Sequence, residues 1–149
     1  MVGLVYSCIL VPLENSPTDT AILAHVTRLA RHCNARLVLI HVADGFAARN
    51  IEQLKLRESE EMKKDRAYLD ACVATLAADG LTVDAVLAVG DPAKEISAAA
   101  AREQCDLIAM GTHGHRFVKD ILYGSVANEV RHTSYVPVLM VRDGAPPAP

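Results

Sequence analysis

The chain has 149 residues, close to the commonest size for a single domain, and is 51% hydrophobic and 22% charged. This balance is typical of globular proteins and argues against disorder. The formal net charge of −3 gives no basic footprint for nucleic acid or for a polybasic contact with a membrane. No apolar run approaches the roughly 20 residues that span a bilayer, and the first residues lack the basic flank of a signal peptide. We therefore expect a cytoplasmic protein.

Strand-like and helix-like segments alternate from end to end. Short apolar runs predict strands at residues 8–12, 36–42, 81–89, 106–110 and 136–141. The intervening helices are expected from Ser16 to Asn34, over residues 50–79, from Pro92 to about Glu103, and around residues 125–132. Because parallel strands need long crossovers, this alternation predicts an open parallel α/β sheet with helices on both faces. One domain is expected over residues 1–143, followed by a flexible proline-rich tail at 144–149.

Local signals mark several helix ends. Ser16 before Pro17, and Asp91 before Pro92, have the pattern of an N-cap followed by proline in the first turn. Asn34 is a plausible left-handed stop for the first helix. These positions fix where the loops between strands and helices should lie.

The cysteines and histidines predict no disulfide scaffold and no metal site. Cys8, Cys33, Cys72 and Cys105 are far apart and form no C-x-x-C pair, so we expect small buried hydrophobes in a reducing compartment. The six histidines lack the spacing of a metal site.

In an open α/β sheet, ligands bind beyond the carboxyl ends of the strands, where the winding reverses. Two glycines, Gly111 and Gly114, follow the fourth strand, and Gly124 and Ser125 come after nine intervening residues. Glycine lets the backbone adopt unusual φ values and bring N–H groups close to an anion. Gly124 and Ser125 are expected to open a helix, whose positive end favours phosphate. Neither a Walker A loop nor a G-x-G-x-x-G motif is present.

Residues 111–126 closely resemble the G-x2-G-x9-G-[S/T] nucleotide-binding signature of universal stress proteins. Residues 9–13 and 136–142 look like the first and last strands of that family. Residues 39–42 match the end of its second strand, and residues 89–92 match the turn from its third strand into the next helix. The resemblance implies a Rossmann-like sheet with strand order 3-2-1-4-5, which places the first and fourth strands side by side. It also implies that this chain is of the ATP-binding type.

By this resemblance, four residues would hold the triphosphate of ATP: Gly111, Gly114, Gly124 and Ser125. Val126 would help to close the site around the sugar and phosphates. Mg²⁺ is expected on the phosphates.

The resemblance also assigns the base and ribose. Val42 would meet adenine through its backbone, and Pro12, Leu13 and Met110 would form apolar walls. Glu14 stands where ATP-binding members usually carry Asp. Its carboxylate can still accept hydrogen bonds from ribose hydroxyls, with one extra methylene in the side chain.

Three further side chains in the glycine segment have two interpretations each. Arg116 and Lys119 could screen phosphate charge or lie on the solvated surface, and surface is favoured for Arg116. His113 is included among the candidate ligands because it could touch a phosphate, although local packing would explain it equally well.

The fifth strand is expected at an edge of the sheet, because Pro137 cannot donate to a strand ladder. An exposed apolar edge favours aggregation unless it is covered. The family resemblance implies that a second copy covers it, which makes a homodimer through the C-terminal edge strand.

Three functions remain open at this point. The first is a dimeric, ATP-dependent regulatory module of the stress response, acting on protein partners that the sequence does not identify. The second is a slow ATP hydrolase or nucleotidyl-transfer protein, and the third is an interaction protein with a vestigial pocket. No residue supplies a convincing base for activating water, so no catalytic residue is assigned. The intact glycine signature favours the first function over the third.

Overall fold

The computed structural model describes residues 5–44, 52–112 and 121–144. Within these residues the strands are β1 (Cys8–Pro12), β2 (Arg36–Asp44), β3 (Val83–Gly90), β4 (Leu107–Thr112) and β5 (Val138–Arg142). The helices are α1 (Asp19–Cys33), α2 (Glu52–Ala78), α3 (Pro92–Arg102) and α4 (Ile121–Thr133). All strand pairs are parallel and follow the order β3-β2-β1-β4-β5. The predicted fold class and strand order are confirmed.

Helices cover both faces of the sheet, as the alternation of its strands requires. Ile9 and Val11 of β1 pack in one apolar cluster with residues of α1 and α2. Leu10, between them, packs in a second cluster with residues of α3 and α4. The centre of each cluster is shielded from solvent, since these three side chains are completely buried. Among the described helices, none is sufficiently long and apolar to pass through a membrane.

The winding reverses between β1 and β4. From β1 the chain proceeds to β2 and β3 on one side, and then crosses to β4 and β5 on the other. β1 and β4 lie side by side, with Ile9 opposite Leu107. Their carboxyl ends therefore diverge into loops on opposite sides of the same crevice.

Two helix ends follow the sequence signals. Asn34 adopts a left-handed conformation with φ of 54° after α1. The Asp91 side chain accepts a hydrogen bond from the Lys94 N–H at 3.1 Å, and Pro92 is the first residue of α3. An oxygen on Asp91 thus satisfies an N–H group that has no partner within the helix.

The predicted start of α1 at Ser16 is wrong. The helix begins at Asp19, and its N-cap, Thr18, makes no side-chain capping bond. Ser16 instead belongs to a turn in which its carbonyl oxygen accepts a hydrogen bond from the Asp19 N–H at 3.0 Å. Its hydroxyl donates a hydrogen bond to the Glu14 side chain at 3.2 Å, so a contact within the loop outweighs the capping signal.

The predicted start of α4 is also wrong. The helix begins at Ile121, so that Gly124 and Ser125 lie inside it and do not open it. Glycine within a helix costs only about 1 kcal/mol relative to alanine, which makes it an unreliable start signal. The N–H groups that lack helical partners belong to a first turn that starts at Ile121.

β5 is an edge strand, as the proline predicted. It begins at Val138, two residues after the predicted start. Pro137 lies just before it and uses its carbonyl oxygen to accept a hydrogen bond from the Ile108 N–H at 3.0 Å.

Candidate functional site

A cleft opens where β1 and β4 end beside each other. Its walls come from the loop after β1, from β2 and β4, and from α1, α3 and α4: Pro12, Leu13, Glu14, Thr18, Asp19, Ile40, Val42, Pro92, Ile96, Met110, Gly111 and Val126. The space between them is about 480 Å³ with the solvent at the mouth included, and about 30 Å³ of it is accessible to the centre of a water molecule. The cleft is a narrow slot and not a chamber.

Most of the site residues assigned from the sequence meet in this cleft. Seven of them line it: Pro12, Leu13, Glu14, Val42, Met110, Gly111 and Val126. Gly124 and Ser125 precede Val126 on α4 but are not part of the lining. His113 and Gly114 lie outside the described residues, as do Arg116 and Lys119.

Five lining residues were missed at the sequence level: Thr18, Asp19, Ile40, Pro92 and Ile96. A signal for Ile40 existed, because residues two apart in a strand face the same side and Val42 had been assigned to the site. Ile96 required knowledge of which face of α3 meets the sheet.

The backbone of Val42 is directed toward the cleft. Along β2, the Arg36 N–H donates to the Ser7 carbonyl at 2.9 Å and the Ile40 carbonyl accepts from the Leu13 N–H at 2.8 Å. The peptide groups of even-numbered β2 residues therefore face β1, because the N–H and C=O of one residue in a parallel strand lie on the same side. β1 pairs with β2 only as far as Pro12 opposite Ile40. Val42 thus presents its peptide groups beyond the end of β1, where the slot begins.

The carboxylate of Glu14 lies among hydroxyl groups at the polar side of the cleft. Its Oε2 accepts hydrogen bonds from Thr18 Oγ1 at 3.1 Å and from Ser16 Oγ at 3.2 Å. The two hydroxyl oxygens are 2.5 Å apart. This group of three side chains can accept and donate hydrogen bonds to a polyhydroxylated ligand.

Asp19 anchors the loop between β1 and α1 from inside. It is only 3% exposed, and its carboxylate accepts the N–H of Glu14 at 3.0 Å and the N–H of Asn15 at 2.9 Å. Tyr68 of α2 donates its hydroxyl to the same carboxylate at 2.5 Å. Burial and the hydrogen-bonded Asp19 raise the pKa of the Tyr68 phenol well above its ordinary value. A buried charge is tolerated here because several donors converge on it.

A second link ties α2 to the same loop. His41 Nδ1 lies 2.8 Å from the Leu13 carbonyl oxygen, and its Nε2 lies 3.3 Å from Asp65 Oδ2. Asn15 Nδ2 donates to the other carboxylate oxygen of Asp65 at 3.2 Å. The two ring nitrogens thus link the Leu13 carbonyl in the loop to Asp65 of α2. His41 does not line the cleft and acts on it only through the loop.

Gly111 does not have the unusual backbone expected of it. It is a residue of β4, opposite Val141, and its φ lies outside the left-handed region. Its ladder with β5 holds it in ordinary strand geometry. A Cβ at this position would lie 3.6 Å from Ile22 and 3.9 Å from the Thr18 carbonyl oxygen, which is ordinary contact. The missing side chain therefore leaves space between β4 and the start of α1, on the wall of the cleft.

An open parallel sheet of this order, with a cleft at its winding reversal, defines a doubly wound α/β protein, a class whose ligands bind at this edge of the sheet. The sequence model of the universal stress protein family matches residues 6–142. The chain belongs to the universal stress protein family.

Relatives in sequence and in structure agree with this. Universal stress protein MJ0577 of Methanocaldococcus jannaschii is 31% identical over 160 residues, with 94% of this chain and 97% of the relative covered. A solved structure of MJ0577 has a TM-score of 0.81 at 30% identity and covers 95% of this chain and 99% of that one.

Two more distant structures, both at 21% identity, share the fold. One is a universal stress protein from Archaeoglobus fulgidus in complex with dAMP, with a TM-score of 0.65 and coverage of 92% of this chain and 98% of that one. The other is a universal stress protein in complex with cAMP, with a TM-score of 0.68 and coverage of 92% and 97%.

Proposed function

We propose that this protein is a cytoplasmic, homodimeric universal stress protein that binds ATP with Mg²⁺ in the cleft. Its ATP occupancy would regulate contacts with other proteins during stress. The observation that carries the proposal is that seven residues assigned to ATP from the family resemblance line one cleft at the winding reversal. Adenine nucleotides bound to two proteins of the same fold support the class of ligand.

The apolar part of the slot fits the base. Met110 and Ile96 are each 3% exposed and line the slot together with Pro12 and Val42. A narrow, apolar slot favours a planar ring over a bulky group. The Val42 peptide groups, directed to the same place, would supply the hydrogen bonds that distinguish adenine from other flat rings.

The polar part of the slot fits the ribose. The Glu14 carboxylate would accept hydrogen bonds from ribose hydroxyls, with Thr18 and Ser16 holding its Oε2. Asp at this position would be one methylene shorter and would lose reach to these two hydroxyls. We therefore expect the pocket to be adapted to Glu14.

The phosphates would extend from the slot toward Gly111, Gly114, Gly124 and Ser125. The first turn of α4, which starts at Ile121, would add N–H groups and the positive end of the helix dipole. Within the described residues no cluster of three His, Cys, Asp or Glu side chains is placed to hold a metal. Mg²⁺ would therefore be held chiefly by phosphate oxygens and water.

Binding fits the cleft better than turnover does. Its two carboxylates, Glu14 and Asp19, already accept hydrogen bonds within the β1–α1 loop. A general base needs a lone pair directed at the attacking water. We therefore propose nucleotide binding without efficient hydrolysis, and assign no catalytic residue.

The proposal is tested by the thermal stability of the purified protein with and without MgATP, because a ligand that binds only the folded state raises the melting temperature. We expect a clear rise for the wild type, loss of the rise in Gly124→Val, and a normal rise in Asn128→Val. Asn128 is exposed on the same helix, so this control introduces the same β-branched residue away from the cleft.

Two results would contradict the proposal. An unchanged wild-type melting temperature at millimolar MgATP would favour the vestigial pocket. Sustained phosphate release by the wild type, abolished in Gly124→Val, would favour the hydrolase.

A further inference from the structure

Two of the four cysteines form a close pair. The sulfurs of Cys8 and Cys105 are 3.1 Å apart, although the residues are 97 positions apart in the chain. Cys8 begins β1 and Cys105 lies just before β4. The Asp106 N–H donates to the Cys8 carbonyl at 2.9 Å, so the two backbones are already joined here. Both side chains belong to the apolar cluster on the α3 and α4 side of the sheet.

A disulfide needs the two sulfurs at about 2.05 Å, with Cα atoms on neighbouring chain segments. Closing the remaining gap of about 1 Å requires side-chain rotation on strands that are already adjacent. We propose that Cys8 and Cys105 are an oxidisable thiol pair that a peroxide converts into an intramolecular disulfide between β1 and the start of β4. The pair is a modification site at the end of the sheet opposite the nucleotide cleft.

Cys105 is the thiol that a small oxidant reaches. It lines a second cavity, between α3 and the segment after α4, with a volume of about 540 Å³. Hydrogen peroxide is little larger than water and fits such a space. Cys8 does not line this cavity, which makes it the resolving thiol behind Cys105.

Two charged groups lie beside the pair, Arg36 and Glu103, and they form an ion pair at 3.7 Å. Arg36 Nη2 donates to the Glu103 carbonyl oxygen at 3.0 Å, and the Cys8 thiol donates to the same oxygen at 3.8 Å. Burial, the hydrogen bond with Cys8 and the Glu103 carboxylate raise the pKa of the Cys105 thiol, while Arg36 opposes the rise. Because the thiolate is the nucleophile, oxidation should be slow at neutral pH and faster in alkaline solution.

The reaction balances with one hydrogen peroxide and two thiols. The sulfur of Cys105 attacks one peroxide oxygen, the O–O bond breaks, and a sulfenic acid and one water form. The sulfur of Cys8 then attacks the sulfenic sulfur, the S–S bond forms, the S–O bond breaks, and the second water leaves. Both thiol protons end in water, the sulfurs are oxidised, and the peroxide oxygens are reduced.

The disulfide would link β1 and β4 at their amino-terminal ends, and the carboxyl ends of the same two strands flank the cleft. A disulfide that closes a long chain segment restricts the unfolded chain more than the folded one. The oxidised protein should therefore melt several degrees higher than the reduced protein, and dithiothreitol should reverse the shift.

The test uses the full chain, reduced, freed of reductant, treated with hydrogen peroxide, then denatured and alkylated. We expect peptide mapping to find Cys33 and Cys72 alkylated and a linked peptide that joins Cys8 to Cys105. Cys72→Ser should retain this link. Cys105→Ser should lose it, and its three remaining cysteines should all be recovered as alkylated thiols.

The wild-type peptide map decides the matter even if Cys105→Ser fails to fold. Four alkylated cysteines after sustained peroxide treatment, sulfinic acid in place of the link, or disulfides between molecules would overturn the proposal. Nucleotide binding does not enter the test, so its outcome is independent of the proposed function.

Discussion

Replacing Asp19 by Asn should weaken both the fold and the proposed nucleotide site. The carboxylate accepts two short hydrogen bonds from backbone N–H groups, from Glu14 and Asn15, and one from the Tyr68 hydroxyl. Hydrogen bonds to charged groups contribute roughly 1.5–3 kcal/mol each. Asn keeps one acceptor oxygen and turns an NH₂ group toward a donor, so we expect a loss of about 2–4 kcal/mol in the free energy of unfolding.

Urea unfolding measures this loss, and Tyr68→Phe gives its internal comparison. The Phe variant keeps the packed ring and removes one hydrogen bond, for which about 1.5–3 kcal/mol is expected. The two changes share a partner, so the double variant should lose less than the sum of the single losses. MgATP affinity should fall several-fold in Asp19→Asn, because the loop that carries Glu14 is no longer fixed.

The matched control is Asp70→Asn, an exposed carboxylate on α2, which should leave the unfolding curve unchanged. The reasoning would be refuted if Asp19→Asn unfolded at the same urea concentration as the wild type. It would equally be refuted if the Asp19 and Tyr68 losses were strictly additive.

Three further predictions concern stability and assembly. Gly90 has φ of 142°, and a Cβ there would lie 3.0 Å from Glu95 Oε1. Gly90→Ala should therefore lower the free energy of unfolding by about 1–3 kcal/mol in denaturant titrations. An unchanged unfolding midpoint would contradict this. Partial burial would raise the pKa of Asp106, but hydrogen bonds from the Ser7 and Cys8 N–H groups outweigh it and hold this pKa below the ordinary 3.8. The stabilisation that Asp106 contributes is therefore present above pH 3.8 and is lost as the pH falls through the lower folded-state pKa. Asp106→Asn should flatten the decline of the unfolding free energy in acid. Parallel declines for the variant and the wild type would contradict this. Met140 is 37% exposed on the edge strand β5. Met140→Glu should therefore shift the proposed dimer to monomer in light scattering. A monomeric wild type at micromolar concentration would contradict the proposed dimer.

Much of the fold could be predicted because its three central strands, β2, β1 and β4, are buried on both faces. Continuous apolar runs identify such strands without help from periodicity, and the predicted β1 agrees with the structure residue for residue. The order of the strands came from the family resemblance and not from the runs themselves. The start of α1 was wrong because the Ser16 hydroxyl bonds to Glu14 within the loop and does not cap the helix. The start of α4 was wrong because the helix extends back from Gly124 to Ile121.

The site was predictable where it depends on strand ends and not where it depends on helix faces. Pro12, Val42 and Met110 lie at or near the carboxyl ends of strands, and the rule for open α/β sheets points to them. Asp19 was identifiable only as an acidic residue in the first turn of a helix. Its actual contacts require α2 to bring Tyr68 to the start of α1 on the same face of the sheet, which no local pattern encodes.

The Cys8–Cys105 pair illustrates the same limit at longer range. Each cysteine by itself has the pattern of a small buried hydrophobe, and burial is confirmed for both. Their proximity follows only once β1 and β4 are known to be neighbours and both residues are placed at the same end of the sheet.

The central claim is that the cleft between β1 and β4 binds ATP, and a crystal structure of the protein grown with MgATP tests it most directly. The account predicts adenine between Met110 and Pro12 with hydrogen bonds to the Val42 peptide groups, ribose hydroxyls on Glu14, and phosphates beside Gly111 and the first turn of α4. ATP bound anywhere else on the protein, or a cleft without nucleotide at saturating MgATP, would contradict it.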